Sequence, residues 1–522
     1  MQWKGIHEIH EWQNLIQKKP DAAIKNLSPN RIQTRIIDAG GGLSYSYAAM
    51  DADDETIAIL QKIADELQLI EQYKTLLSGA VMNIGEKRMV LHHAVRGTVI
   101  DPVIVNGKNY TEFYAKEVKR FCTFAENIRN GTIRGSTGAI FTDVVQIGIG
   151  GSDLGPRALY LALENWARTR GTLKLNAHFI SNVDPDDAVQ VLENINPETT
   201  LFILVSKSGT TQETLANEFL VKKYIGTTID PAKHFVAVTS ETSPLAHNTE
   251  YLESFYIDDY IGGRYSGTSA VGGVILTISL GPDMFKELLI GANEADKMAL
   301  NTDITKNAAL MDALLGVYER SVLNRPVIAV LPYAQALSRF PAHLQQLDME
   351  SNGKSIDRNG RLVPIPTGPI VMGEPGTNGQ HSFYQLLHQG TTIVPIEFIG
   401  FSENQCSFDP EFEGSTARKK LNANLVAHIA AFAQGSHAED PNKNFPGMRP
   451  SSLIFGKTLS PKALGALLAH FENKIMFQGF AWNLNSFDQE GVQLGKVLTK
   501  EVLNPKGISN PVLAAYAKLL GL

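Results

Sequence analysis

The sequence predicts an α/β protein with two domains, each an αβα sandwich around a mostly parallel sheet, and with a helical arm at the N-terminus. From about residue 143 onward, short apolar segments alternate with amphipathic segments. This alternation is typical of parallel strands joined by crossover helices. The pattern pauses near residue 300 and then starts again, and 522 residues exceed what one hydrophobic core usually serves. Both observations favour two large domains.

The first 117 residues are expected to form mainly helices that pack on the second domain. Apolar residues recur at helical spacing between Asp54 and Gly79, as on the buried face of a helix. The predicted organisation is an arm at 1–117, a first α/β domain at 118–282, a helical linker at 283–312, a second α/β domain at 313–500 and a C-terminal helix at 501–522.

Strands are predicted wherever a short apolar segment is bounded by polar or glycine-rich residues. A helix that begins near Pro156 follows the first of them and buries an apolar face. Both halves show the same alternation of strands and helices, which suggests a diverged duplication. The predicted strands lie at 144–147, 178–181, 201–206, 235–239 and 254–257 in the first half, and at 327–331, 369–372 and 391–398 in the second.

Composition excludes several classes of function. The chain is 43% hydrophobic and 19% charged, with a net charge of −7, and it has no basic face that would attract nucleic acid or an anionic membrane. Cys122 and Cys406 are the two cysteines, and they match neither a disulfide scaffold nor a metal motif. We see no secretory signal and no apolar stretch near the roughly 20 residues that span a bilayer. A cytoplasmic protein is therefore expected.

Two loops that follow predicted strands carry candidate ligand-binding groups, as expected at the carboxyl edge of a parallel sheet. Residues 206–211 place four hydroxyls at a helix start, those of Ser206, Ser208, Thr210 and Thr211. Free backbone N–H groups, hydroxyls and the helix dipole together suit a phosphate group, whereas ordinary helix capping needs only one hydroxyl.

The second loop, residues 148–153, contains three glycines and Ser152. Glycine lets the backbone approach a ligand closely, although a tight turn alone would also explain the loop. The spacing matches neither a dinucleotide fingerprint nor a Walker loop.

The second half supplies candidate acid–base groups. Glu350 falls beside an apolar helical stripe, in the last turn before Asn352 and Gly353. Burial and the negative end of the helix dipole oppose a charged carboxylate there, which suits a general base. The alternative is a glutamate that points into solvent.

Two further candidates lie nearer the C-terminus. His381 follows Asn378, a plausible cap, and is expected in the first turn of a helix that ends at Gly390, where the dipole keeps the ring neutral. Gln489 and Lys496 share one helix face. A core histidine and a solvated lysine are the alternatives.

Six motifs together make the sequence resemble the glucose-6-phosphate isomerase family. They occur in the family's order at residues 148–156, 206–211, 262–266, 349–354, 376–381 and 492–496. The resemblance implies two SIS-type (sugar isomerase) domains in a homodimer, an active site at the subunit interface, a hexose 6-phosphate substrate, and no metal or cofactor.

The resemblance also implies residue roles. Glu350 would move a proton between C2 and C1 through a cis-enediol, His381 from the neighbouring subunit would open the sugar ring with help from Lys496, and Arg264 would stabilise the developing negative charge. The phosphate-binding and substrate-binding residues would be Gly151, Ser152, Ser206, Lys207, Ser208, Gly209, Thr210, Thr211, Gln346 and Gln489.

Two departures and two alternatives accompany this interpretation. Ser208-Gly209 and Gly267-Thr268 replace the bulkier pairs of other family members, and the second change puts the packing behind Arg264 in doubt. An amidotransferase would need an N-terminal cysteine, where this chain has Gln2. A non-catalytic sugar-phosphate sensor would keep the hydroxyl loop but has no use for Glu350, His381 and Lys496.

Overall fold

A computed structural model describes residues 3–504 and 506–522, so Gln2 lies outside the described chain. The strands run as follows: β1 (Ile36–Gly40), β2 (Leu43–Ala49), β3 (Val81–Asn83), β4 (Arg88–Met89), β5 (Ile104–Val105), β6 (Lys108–Asn109), β7 (Asp143–Ile147), β8 (Asn176–Ile180), β9 (Thr200–Val205), β10 (Phe235–Thr239), β11 (Glu253–Tyr256), β12 (Val327–Pro332), β13 (Ile370–Met372), β14 (Ile396–Phe401), β15 (Glu411–Phe412), β16 (Ser415–Thr416) and β17 (Ser451–Gly456).

The α-helices alternate with these strands. They are α1 (His10–Leu15), α2 (Pro29–Thr34), α3 (Asp54–Glu66), α4 (Leu69–Leu77), α5 (Tyr110–Arg129), α6 (Leu154–Thr169), α7 (Pro185–Leu192), α8 (Gln212–Ile225), α9 (Ala270–Leu280), α10 (Pro282–Met298), α11 (Ala308–Val317), α12 (Phe340–Leu344), α13 (Glu350–Asn352), α14 (Tyr384–Gln389), α15 (Ala417–Gln434), α16 (Pro461–Trp482), α17 (Gln493–Val502) and α18 (Pro511–Leu519).

Two sheets organise the chain, as predicted. The first has the order β11-β10-β9-β7-β8 and the second the order β1-β2-β17-β14-β12-β13. Every pairing of the first sheet is parallel, and β17, β14, β12 and β13 pair in parallel in the second. The run β10-β9-β7-β8 in the first sheet has the same order as β17-β14-β12-β13 in the second, which supports a duplicated unit.

The N-terminal arm differs from the expectation of helices alone. Its antiparallel hairpin of β1 and β2 joins the second sheet through β2, which pairs with β17. The predicted long helix after Asp54 is also two helices, because Gln68 has a left-handed backbone (φ 53°) between α3 and α4. The hairpin of the arm therefore extends the second sheet.

The central helix is α16, which is buried along almost its whole length between α10, α11 and the second sheet. Ser460 caps it by accepting a hydrogen bond from the N–H of Ala463, and Pro461 occupies the first turn, as the sequence predicts. Residues 283–312, expected to form a helical linker, contain most of α10, and that helix packs closely on α16. The domain boundaries given above remain predictions.

Candidate active site

The hydroxyl loop and the glycine loop lie side by side at the carboxyl edge of the first sheet. The glycine loop follows β7 and forms a short 3-10 turn at Gly150–Ser152, and the hydroxyl loop joins β9 to α8. β7 and β9 are neighbours, while β8 and β10 lie on opposite outer sides of this pair. This is the point of a doubly wound sheet where a crevice forms and ligands bind.

The hydroxyl loop is held in shape by its own side chains. Ser206 is buried, and its Oγ donates a hydrogen bond to Thr211 Oγ1 over 3.1 Å and accepts one from the N–H of Gly209. Thr210 Oγ1 donates to Ser208 Oγ over 2.9 Å, and both residues are exposed. Gly209 has φ of 67° and lies against Ser243, where a Cβ would not fit. The loop is therefore preformed at the start of α8.

Lys207 also belongs to this loop. Its Nζ donates a hydrogen bond to the carbonyl of Ile261 over 3.2 Å, and burial lowers the pKa of this lysine. The lysine therefore ties the hydroxyl loop to the segment that leads to Arg264.

The glycine loop packs directly on the segment that carries Arg264. A Cβ on Gly151 would overlap the backbone of Gly263, so a side chain at position 151 would push the two loops apart. On the other side of the loop, a Cβ on Gly150 would lie 3.4 Å from Gln346 Nε2. The fold thus brings together the two first-sheet loops and the helical segment before Glu350.

Arg264 is buried and its guanidinium is fixed by several acceptors. Nε donates to Ser351 Oγ over 2.7 Å, and Nη2 donates to the carbonyls of Ser486 and Asp488 over 2.6 and 2.9 Å. Nη1 lies 3.4 Å from Glu350 Oε2. The planar guanidinium is therefore held rigidly, with Nη1 directed at the Glu350 carboxylate.

Glu350 occupies the predicted position beside the apolar stripe. Leu337, Phe340, Leu344 and Leu347 are at most 2% exposed, and the helical segment ends at Asn352. The Glu350 side chain is 18% exposed, and its Oε2 is buried without a hydrogen-bond partner in the described chain. The expected burial is confirmed, and the alternative of a glutamate in open solvent is wrong.

A π-helical turn, Gln345–Met349, precedes Glu350 directly. The apolar spacing predicts only a regular helix here, because most of the apolar stripe lies before the π-turn. Such turns occur frequently at functional sites, and this one carries Gln346, whose Oε1 is also buried without a partner in the described chain.

A cleft of about 760 Å³ opens in front of these groups. It is lined by Gln346 and Glu350 on one side and by Gln489 on the other. This volume is ample for a hexose phosphate, since pockets for small molecules span roughly 300–1,000 Å³. Gln489 is otherwise exposed.

His381 and Lys496 lie apart from this cleft within a single chain. His381 is exposed at the end of the 3-10 turn Asn378–His381, and α14 begins only at Tyr384. The predicted place in the first turn of an α-helix is therefore wrong, because Ser382 and Phe383 separate the 3-10 turn from α14. Lys496 is exposed on α17, a helix that buries none of its residues.

Sequence reasoning missed a second cation that organises the site. Lys354 Nζ contacts Asp488 Oδ1 at 2.6 Å and also donates to the Asn485 carbonyl. Arg264 and Lys354 thus bind the same segment, residues 485–488, from two sides. Lys354 lies four residues after Glu350 in the motif at 349–354, but nothing in the local sequence indicates its partner, which is 134 positions away.

Residues 3–504 and 506–522 contain no helix that is both long and apolar enough to cross a membrane. The same residues contain no group of three or more His, Cys, Asp or Glu side chains arranged to hold a metal ion.

Comparison with known proteins agrees with this geometry. The family model described as "Phosphoglucose isomerase" matches residues 45–514. A glucose-6-phosphate isomerase of Treponema denticola is 55% identical over all of both chains, and one of Borreliella burgdorferi is 45% identical over 99% of each. The crystal structure of a glucose-6-phosphate isomerase from Chlamydia trachomatis superposes with a TM-score of 0.92 at 42% identity, covering 99% of each chain. Because the family model and these relatives span nearly the whole sequence, the chain belongs to the phosphoglucose isomerase family.

Proposed function

We infer that this protein interconverts glucose 6-phosphate and fructose 6-phosphate. The observation that carries the inference is Glu350, whose buried Oε2 has no hydrogen-bond partner in the described chain and lies 3.4 Å from Arg264 at the edge of an open cleft. Family membership and the names of the relatives point to the same reaction.

In the proposed mechanism Glu350 is the general base. It removes the proton from C2 of the open-chain aldose and returns it to C1, so that a cis-enediol lies between the two sugars. Negative charge develops on the sugar oxygens during the transfer. Arg264 is already oriented by Ser351 and Ser486, so its charge stabilises this state without reorganisation.

The phosphate is proposed to bind at the hydroxyl loop. Support comes from its preformed shape at the start of a helix, where N–H groups and the dipole favour an anion. The proposed contacts are Ser206, Lys207, Ser208, Gly209, Thr210 and Thr211, with Gly151 and Ser152 across the crevice and Gln346 and Gln489 nearer the sugar.

We also propose a homodimer in which His381 is donated across the interface to open the ring, assisted by Lys496. Both side chains are exposed in one chain and neither lines its cleft. On α17, Leu494 and Val497 are 68% and 61% exposed, which is expected of a helix that packs on another molecule. We also propose that the protein is cytoplasmic.

The decisive experiment is a coupled assay on purified protein with each hexose phosphate, in the presence of a chelator. We expect turnover in both directions, and in heavy water some deuterium at the transferred position. Complete absence of solvent exchange under all conditions would contradict the enediol mechanism.

Replacement of the base gives the sharper test. Glu350→Gln keeps the size of the side chain and should lower kcat by roughly 10²–10⁴-fold with little change in KM. Glu164→Gln, the same change on helix α6, should leave kcat unaltered. A change confined to KM would make Glu350 a binding group only.

A further inference from the structure

The second sheet has a crevice at the same topological position as the active site. In the first sheet the crevice lies between β7 and β9, and the corresponding strands of the second sheet are β12 and β14. A cleft of about 570 Å³ opens there, lined by the residues that follow both strands. In a doubly wound sheet this is the position where ligands bind.

The helices that cover the two crevices also correspond. The active site is covered by the helical segment that follows β12, and the second cleft by α6, which follows β7. Glu350 lies ten residues after the first residue of α12, and Glu164 lies ten residues after the first residue of α6. Glu164 lines the second cleft and pairs with Arg168, one turn later on the same helix, whose Nη2 is 2.5 Å from its carboxylate.

Among the described residues, one cation of this second cleft has no carboxylate in an ion pair with it. Four charged side chains line it: Glu164, Arg168, Glu403 and Arg418. Arg168 pairs with Glu164, and Glu403 pairs with Lys457 outside the cleft at 3.4 Å. Within the described chain, no carboxylate lies at ion-pair distance from the Arg418 guanidinium. Its Nε donates to Asn404 Oδ1 over 2.7 Å, and its Nη1 makes longer contacts of 3.4 and 3.5 Å with the Tyr333 and Phe401 carbonyls. The nearby Asp409 carboxylate accepts instead from the Arg418 backbone N–H and from Asn404 Nδ2.

Arg418 is half-buried, and burial lowers its pKa. A desolvated guanidinium is stabilised by a bound anion, and its planar fork matches a phosphate or a carboxylate. Neutral polar groups complete the cleft. The side chains of Asn165, Gln335 and Ser338 line it as well and can bind ligand hydroxyls.

We propose that the crevice between β12 and β14 is a second ligand site, which binds a small hydroxylated anion (a sugar phosphate or a sugar acid) through Arg418. The site is separate from the Glu350 cleft. A ligand there would contact Arg418 and amide side chains instead of the hydroxyl loop. Phosphate esters and carboxylates are therefore both suitable ligands.

Equilibrium dialysis with labelled fructose 6-phosphate and labelled gluconate tests the proposal. We expect each chain to bind a second fructose 6-phosphate beside the one in the active site, or one gluconate, at a site that Arg418→Gln weakens by at least about tenfold, as for a lost charge-assisted hydrogen bond. Lys419→Gln removes the same charge from the neighbouring exposed residue and should leave both sites intact. Thr211→Val should weaken only the active site.

The two probes distinguish the sources of the anion. Gluconate binding that depends on Arg418 indicates a sugar acid, and a second fructose 6-phosphate site that depends on Arg418 indicates a phosphate ester. The proposal would be overturned if neither fructose 6-phosphate nor gluconate bound outside the active site, or if Arg418→Gln left that additional binding unchanged. Should Arg418→Gln not fold, Arg168→Gln tests the same cleft.

The outcome is independent of the proposed isomerase activity. Arg418→Gln should keep kcat within about twofold of the unmodified protein at saturating substrate. Glu350→Gln should lose turnover and keep the second site. A failed mechanism and a failed second site therefore give different results.

Discussion

Asp348, two residues before Glu350, should make the stability of the protein depend on pH. It lies in the π-turn, is buried, and its Oδ1 has no hydrogen-bond partner in the described chain. Burial raises its pKa from 3.8 to about 7. The charge of Asp312 also raises this pKa, whereas the charge of Lys474 lowers it. Because the folded chain holds this proton more tightly than the unfolded chain does, ionisation of Asp348 works against folding.

The sign and size of the effect follow from that difference. The stabilisation is fully present below about pH 4 and is lost as the pH rises through about 7. A pKa about three pH units above that of the unfolded carboxyl corresponds to about 4 kcal/mol, since one unit is about 1.4 kcal/mol. Asp348→Asn stays neutral at every pH and should remove this contribution.

Urea unfolding at fixed protein concentration, at pH 5 and pH 8, measures the effect. From pH 5 to pH 8, the unmodified protein should lose about 2–4 kcal/mol more of its unfolding free energy than Asp348→Asn does. Asp186→Asn, the same change at an exposed residue, should show no such shift. Parallel pH profiles for Asp348→Asn and the unmodified protein would refute a raised pKa at Asp348.

Three further substitutions test the site and the core. Arg264→Lys loses the planar fork and should lower kcat by roughly 10²–10³-fold, with a smaller effect on KM, in the coupled assay. Thr211→Val should raise KM for the hexose phosphates by about 10–100-fold and leave the binding of unphosphorylated sugars nearly unchanged. Arg96→Met leaves the buried carboxylates of Asp296 and Glu472 without their cation and should cost about 3–5 kcal/mol in urea unfolding.

Each of these has an outcome that would count against it. Unaltered kcat in Arg264→Lys would show that positive charge alone is sufficient at that position. An equal loss of affinity for unphosphorylated sugars in Thr211→Val would place the phosphate elsewhere. Unchanged stability of Arg96→Met would mean that the two carboxylates are protonated in the folded protein.

Local patterns in the sequence were enough to locate most elements. The strand at 235–239 has the predicted ends, because five consecutive buried residues are bounded by polar ones. The apolar stripe beside Glu350 was likewise readable from helical spacing. Strand 391–398 was placed too early, since the observed strand begins at Ile396 and its backbone pairing decides where it starts.

The sequence by itself determined the α/β class, the hydroxyl loop and the identity of the candidate base, because each depends on residues close together along the chain. Only the tertiary structure decided that the N-terminal hairpin extends the second sheet, that Arg264 lies against Glu350, and that Lys354 and Asp488 meet across 134 positions. Such contacts depend on how distant segments pack together, and periodicity within one segment carries no information about its distant partner.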